Sequence, residues 1–149
     1  LPRGHDNGSV RAFAAIVPTE SVHADLEAFV EPRREVESVL RASIAAGYRL
    51  VITSGGTGVT PTDRTPEGTA PVLDREVPGL AELLRAEGSR HTPFAAISRG
   101  LVGVVDASPD HPGALVVNLP GSPKGVREGL DVLLPLVEHV LDQIAGGDH

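Results

Sequence analysis

Residues 51–67 read VITSGGTGVTPTDRTPE. The apolar run Leu50-Val51-Ile52 enters Thr53-Ser54 and then Gly55-Gly56-Thr57-Gly58, which predicts a buried strand ending in a turn with three glycines in four positions. Glycine tolerates positive φ and carries no side chain, so successive N–H groups in such a turn can cradle an anion, and a phosphate is the guest it suits. Five residues beyond Gly58 stands Asp63, followed by Thr65-Pro66-Glu67, which reads as an N-cap, a proline at the first helical position and an acid in the first turn. A candidate cradle therefore lies one short loop from carboxylates able to hold magnesium. Two common phosphate-binding templates do not fit: no Gly-Lys-Ser/Thr follows the glycines, and G-x-G-x-x-G counted from Gly56 puts Pro61 at the last glycine. On glycine chemistry alone, a tight strand-to-helix connection with no ligand is the alternative.

Working outward, Val36, Val39, Leu40, Ser43 and Ile44 fall at helical spacing with Arg34, Glu35, Glu37 and Arg41 largely opposite, and Gly47 stops the helix. Further upstream, residues 10–17 read as a strand and residues 1–9 as an N-terminal tail. Residues 21–29 could form a helix, with Phe29-Val30 starting a second strand. Downstream, residues 66–74 predict a short helix. Residues 78–87 predict another, with Leu80, Leu83 and Leu84 inward and Gly88 as its end. Residues 94–98 read as a strand, and 101–105 with 114–118 as a hairpin around the loop ASPDHPG. From Ser122 a long helix reaches about Ile144, with the stripe Val126, Leu130, Leu133, Leu134, Val137, Leu141 and Ile144; Pro135 should kink or briefly break it. Strands alternating with helices give an α/β fold, with a mainly parallel sheet and an antiparallel edge strand, and residues 10–149 form one domain.

The 149 residues suffice to bury about two thirds of the unfolded surface. Hydrophobic content of 40% and mean hydropathy of +0.01 describe a soluble, globular chain, and no apolar run approaches the ~20 residues of a membrane span. The absence of Cys removes disulfides, thiolate metal sites and a cysteine nucleophile, and fits a cytoplasmic protein. Aromatics at 3% and a net charge of −7 argue against a nucleic-acid binder, leaving a small phosphorylated ligand whose charge magnesium or a few basic groups must neutralise. The six histidines show no metal-ligand spacing and read as surface residues.

A second motif, NLPGSPKGVREGL, spans residues 118–130. Ser122 reads as an N-cap and Pro123 as the first helical residue, so the helix start beside Gly121 can bind an anion, with Lys124 adding a full charge. By itself this could be only a capped helix and a solvated lysine. Asp63 could likewise cap a turn, Glu67 could be a second metal ligand or a favourable acid at a helix start, and Arg99 could meet a ligand phosphate or sit in an ion pair.

As whole strings, TSGGTGVTPTDRTPE and LPGSPK resemble the two signatures of the molybdopterin adenylyltransferase family, the MoaB/Mog proteins and the G domain of gephyrin. REVPGLAELLR and TPFAAISRGLVGV between them are similar too, so the likeness runs from about residue 35 to the C-terminus. The stretch before Arg33 lacks the family's Ser-Asp-Arg-like turn and Asp-x-Ser-Gly motif.

The resemblance implies a three-layer MoaB/Mog-like fold with helices on both sheet faces. It further implies magnesium-dependent transfer of AMP from ATP to the terminal phosphate of molybdopterin. The matching residues would be Ser54, Gly55, Gly56, Thr57 and Gly58 for nucleotide phosphates, Asp63 for magnesium and catalysis with Glu67 in support, and Ser98, Gly121, Ser122 and Lys124 for molybdopterin. A cytoplasmic homotrimer acting on small molecules, without nucleic acid or membrane, is the implied setting. The alternative is a molybdopterin carrier or scaffold with the same fold and no chemistry.

Overall fold

A computed structural model describes residues 3–6, 11–18 and 31–147. Six strands, β1 (Arg3–Asp6), β2 (Arg11–Pro18), β3 (Leu50–Ser54), β4 (Arg75–Glu76), β5 (Val102–Val105) and β6 (Ala114–Leu119), form one sheet in the order β1-β2-β3-β6-β5-β4. The strands β2, β3 and β6 run parallel, and β1, β5 and β4 pair antiparallel with their neighbours. The sheet is thus mixed, with a parallel centre and antiparallel flanks on both sides. Residues read as a tail contain β1, hydrogen-bonded along β2. The helix and strand start read in residues 21–30 lie outside the described residues.

The alternation of β3 and β6 sends side chains to two covered faces, which explains their unbroken apolar sequence. Leu50, Ile52, Leu115, Val117 and Leu119 pack against α3 (Pro78–Ser89) and α4 (Pro123–Ile144), chiefly Ala81, Leu133, Val137 and Leu141. Val51, Ala114 and Val116 pack on the other face against Val36, Leu40 and Ile44 of α1 (Glu31–Ala45). These are the three layers expected. In α1, Val39 is 40% exposed, while Gly47, at φ +95°, ends the helix by donating to Ile44 O as Tyr48 N donates to Ser43 O.

Several local expectations change. Residues 93–97 form a 3-10 turn instead of a strand: Pro93 follows the N-cap Thr92, whose hydroxyl accepts from Phe94 N. The predicted helix at 66–74 is a five-residue α2 (Thr65–Thr69) and then a 3-10 turn over Ala70–Val72. Thr65 does not cap α2; its hydroxyl donates to Gly55 O at 2.9 Å. Leu83 and Leu134 face outward, because one turn separates the buried residues Gly129, Leu133, Val137 and Leu141, and Leu134 lies beside that narrow stripe. The helix α4 continues through Pro135, which is exposed and, having no N–H, cannot donate to the Asp131 carbonyl one turn back.

Candidate functional site

Because β3 and β6 are parallel neighbours, the Gly-rich loop and the PGSPK turn leave the sheet at the same end. Two hydrogen bonds join them: Gly55 N donates to Leu119 O at 2.9 Å, and Ser54 Oγ donates to Pro120 O at 3.2 Å. Gly55 and Gly56 turn the chain at φ +96° and +69°, a conformation glycine adopts without strain. The structure therefore corrects the cradle predicted from sequence, since the Gly55 N–H is already committed within the chain. The N–H groups of Gly56, Thr57 and Gly58 make no hydrogen bond among the described residues.

A cavity of about 550 Å³ opens between these loops and the α3/α4 layer. It brings together Thr57, Gly58, Ser98, Ser122 and Lys124 from the sequence-derived set. Ser98 Oγ accepts from Gly100 N at 3.2 Å. Ser122 caps α4 by accepting from Gly125 N at 3.0 Å, and its carbonyl accepts from Val126 N. With Pro123 lacking a donor, Lys124 N–H is the one in that first turn with no hydrogen bond among the described residues. The Lys124 side chain is 74% exposed. Ser54, Gly55, Gly56 and Gly121 stand behind or beside this lining.

Asp63 belongs to a second cleft of about 500 Å³ with Val59, Thr60, Arg64 and Arg99. Its Oδ2 accepts from Thr60 N at 3.0 Å, and a Cβ on Gly58 would come within 2.8 Å of the same oxygen. The carboxylate is thus packed on the backbone of Gly58, itself a residue of the first cavity's lining, and its Oδ1 is left with no hydrogen bond among the described residues. That donor set fits magnesium, which accepts one or two carboxylates together with substrate phosphate oxygens. No group of three His, Asp or Glu suited to a metal occurs among the described residues.

Glu67 does not fit as a second ligand. Both its oxygens meet Arg99, Nη1 to Oε2 at 2.6 Å and Nη2 to Oε1 at 3.3 Å. Partial burial works against its charged form, but the hydrogen bonds from Arg99 and the backbone and the charges of Arg99 and Arg64 outweigh it and hold the carboxyl below its ordinary value. Arg99 also donates from Nε to Gly58 O and from Nη2 to Asp63 O, both at 2.7 Å, while its backbone N–H donates to Thr57 O. It is a clamp on the cradle and on the Asp63 loop, and it makes the ion pair that was one of the two roles left open for it.

Sequence reasoning missed Asn118. It is buried beneath the cavity, where Nδ2 donates to Thr53 Oγ1 (2.9 Å) and Thr69 Oγ1 (3.0 Å) and Oδ1 accepts from Leu101 N. Its place as the first residue of the NLPGSPK string was the available signal. His91, read as a surface residue, lines the cavity and lies 3.6 Å from Glu128.

Residues 24–139 match the family described as "Probable molybdopterin binding domain". The chain is 50% identical to the molybdopterin biosynthesis enzyme MoaB of Thermus thermophilus, covering 76% of this chain and 69% of that one with a TM-score of 0.67. It is 40% identical to the molybdopterin biosynthesis Mog protein of Mycobacterium ulcerans, covering 89% and 98%, with a TM-score of 0.71. Over 97 residues, 65% of this chain, it is 39% identical to a molybdopterin adenylyltransferase of Helicobacter pylori, of which it spans 52%. Other curated relatives are longer still, and the chain spans 39% and 13% of two of them.

Proposed function

The chain belongs to the molybdopterin-binding domain family of molybdenum cofactor biosynthesis, and from that premise we propose that it transfers AMP from ATP to the terminal phosphate of molybdopterin. The observation that carries this reading is the joining of the two loops: Gly55 N to Leu119 O and Ser54 Oγ to Pro120 O hold the cradle and the start of α4 around one cavity. A reaction between two phosphorylated substrates needs two anion-binding ends in one space.

In this reading an oxygen of the molybdopterin phosphate forms the new bond to the α-phosphorus of ATP, and the bond from that phosphorus to the leaving pyrophosphate breaks. The attacking oxygen is already anionic, so no protein nucleophile or base is required. The protein aligns the two groups and neutralises charge. The N–H groups of Gly56, Thr57 and Gly58 take the nucleotide phosphates. Lys124, the hydroxyl of Ser122 and Ser98 hold the molybdopterin phosphate; Ser122 Oγ can donate its own proton while still capping α4. Asp63 would hold magnesium, which supplies charge neutralisation at the phosphates. Glu67 and Arg99 keep Asp63 and the cradle in place. The assembly proposed is a homotrimer, and sedimentation at the 15.5 kDa of a single chain would contradict it.

Replacing Asp63 by Asn tests the reading at its most exposed point. The variant should fold as the parent does, retain the Thr60 contact, and lose magnesium-dependent formation of adenylylated molybdopterin by a hundredfold or more, on the order expected for a lost charge-stabilising group. Turnover at the parental rate would remove Asp63 from the mechanism.

A further inference from the structure

The cavity holds a carboxylate that the transfer chemistry leaves unused. Glu128, in the second turn of α4, lines it, and its Oε1 is shut from solvent with no hydrogen-bond partner among the described residues. The nitrogens over it, His91 Nδ1 at 3.6 Å and Lys124 Nζ at 3.9 Å, stand beyond hydrogen-bonding reach. Their side chains are 45% and 74% exposed, so they cover the carboxylate without locking it. A buried carboxylate oxygen with nothing to accept is costly, and native proteins keep few of them. Nearby, Ala81 and Leu84 of α3 and Ala95 and Ile97 of the 3-10 turn give the cavity apolar walls suited to a flat ring.

We propose that Glu128 is a specificity residue that reads the amino-pyrimidinone edge of the pterin and so assigns this part of the cavity to the pterin rather than to adenine. The inference rests on the function proposed above. A pterin carries its 2-amino group beside a ring N–H, two parallel donors that match the two oxygens of a carboxylate. Adenine carries its amino group beside an unprotonated ring nitrogen, which would face the carboxylate as a second acceptor. A protein that joins AMP to a pterin must sort two flat heterocycles, and a group that attracts one edge and repels the other does so. When Glu128 turns to the pterin, Lys124 is released from it to meet the phosphate.

The test titrates 6-hydroxymethylpterin and 6-hydroxymethyllumazine, the same ring with an oxo group in place of the 2-amino group, against the parent and Glu128→Gln by fluorescence. The parent should bind the pterin about ten- to a hundredfold more tightly than the lumazine, and Glu128→Gln should lose most of that ratio. A general structural defect would weaken both compounds together and leave the ratio intact. An unchanged ratio in Glu128→Gln, or a ratio near one in the parent, which needs no variant to fold, overturns the assignment. Failure of the underlying function looks different: the parent would form no adenylylated molybdopterin from molybdopterin, ATP and magnesium. A parent that adenylylates molybdopterin while showing no pterin preference overturns the role of Glu128 alone.

Discussion

Arg99 directs its guanidinium to the Gly58 and Asp63 carbonyls and to both oxygens of Glu67. Removing it in Arg99→Leu strands two carbonyls and a carboxylate, and the expected loss is about 1–3 kcal/mol, measurable by urea denaturation. Lysine should not rescue it, since one ammonium cannot span partners that a planar fork reaches together. A stability within a few tenths of a kcal/mol of the parent would show the clamp to be dispensable. The same contact sets a pH dependence. In the unfolded chain Glu67 takes up its proton in the ordinary carboxyl range, whereas in the folded chain it does so only at lower pH. The stabilisation is therefore complete above the ordinary value and is lost as pH falls through the lower, folded one. Denaturation at stepped pH should show the parent losing more stability across that acid window than Glu67→Gln, and equal slopes would count against the pairing.

Between elements, the site is held by buried hydrogen bonds instead of by local sequence. Asn118 ties β6 to Thr53 of β3 and Thr69 of α2, and Thr65 ties α2 back to Gly55 and Gly56 through its hydroxyl and N–H. Asn118→Ala breaks three of these bonds in the interior, leaving Leu101 N–H and two hydroxyls with fewer partners. A loss of about 2–4 kcal/mol together with a fall in turnover is expected, read by thermal unfolding and by the transfer assay. The α1–α2 contact makes its own prediction. A Cβ on Gly68 would lie 2.5 Å from Arg33 O and 2.8 Å from Val36 Cβ, so Gly68→Ala must push α1 away and should lower the unfolding midpoint by several degrees. The short helix was legible in Pro66, as was the cap of α4 in Ser122-Pro123, because both signals are local. The roles of Arg99 and Asn118 were not. Their partners stand 17 to 65 residues away in the chain, and no spacing or periodicity records such a meeting.

At the scale of the whole molecule, the order β2-β3-β6 determines the site, since it places the two strands that carry the motifs side by side and parallel. Sequence supplied the strands β2, β3, β5 and β6, the helical layers and both loops. It also supplied the antiparallel β5–β6 hairpin, but not the pairing of β4 with β5 or of β1 with β2, which depends on which edges are left open once the centre has formed, nor the strand at Arg3–Asp6, which is too short and polar to show a pattern. It also credited Gly55 with a ligand-binding N–H that the structure uses to join the two loops. That junction brings the cradle and the α4 start to one cavity, where in the proposed reaction an acidic chain of net charge −7 would receive two phosphorylated substrates. The most direct measurement is to incubate the chain with molybdopterin, ATP and magnesium and to assay for adenylylated molybdopterin and pyrophosphate. The account predicts both products in equal amounts. Tight binding of molybdopterin with neither product would make the protein a carrier, and binding of neither substrate would contradict the shared site itself.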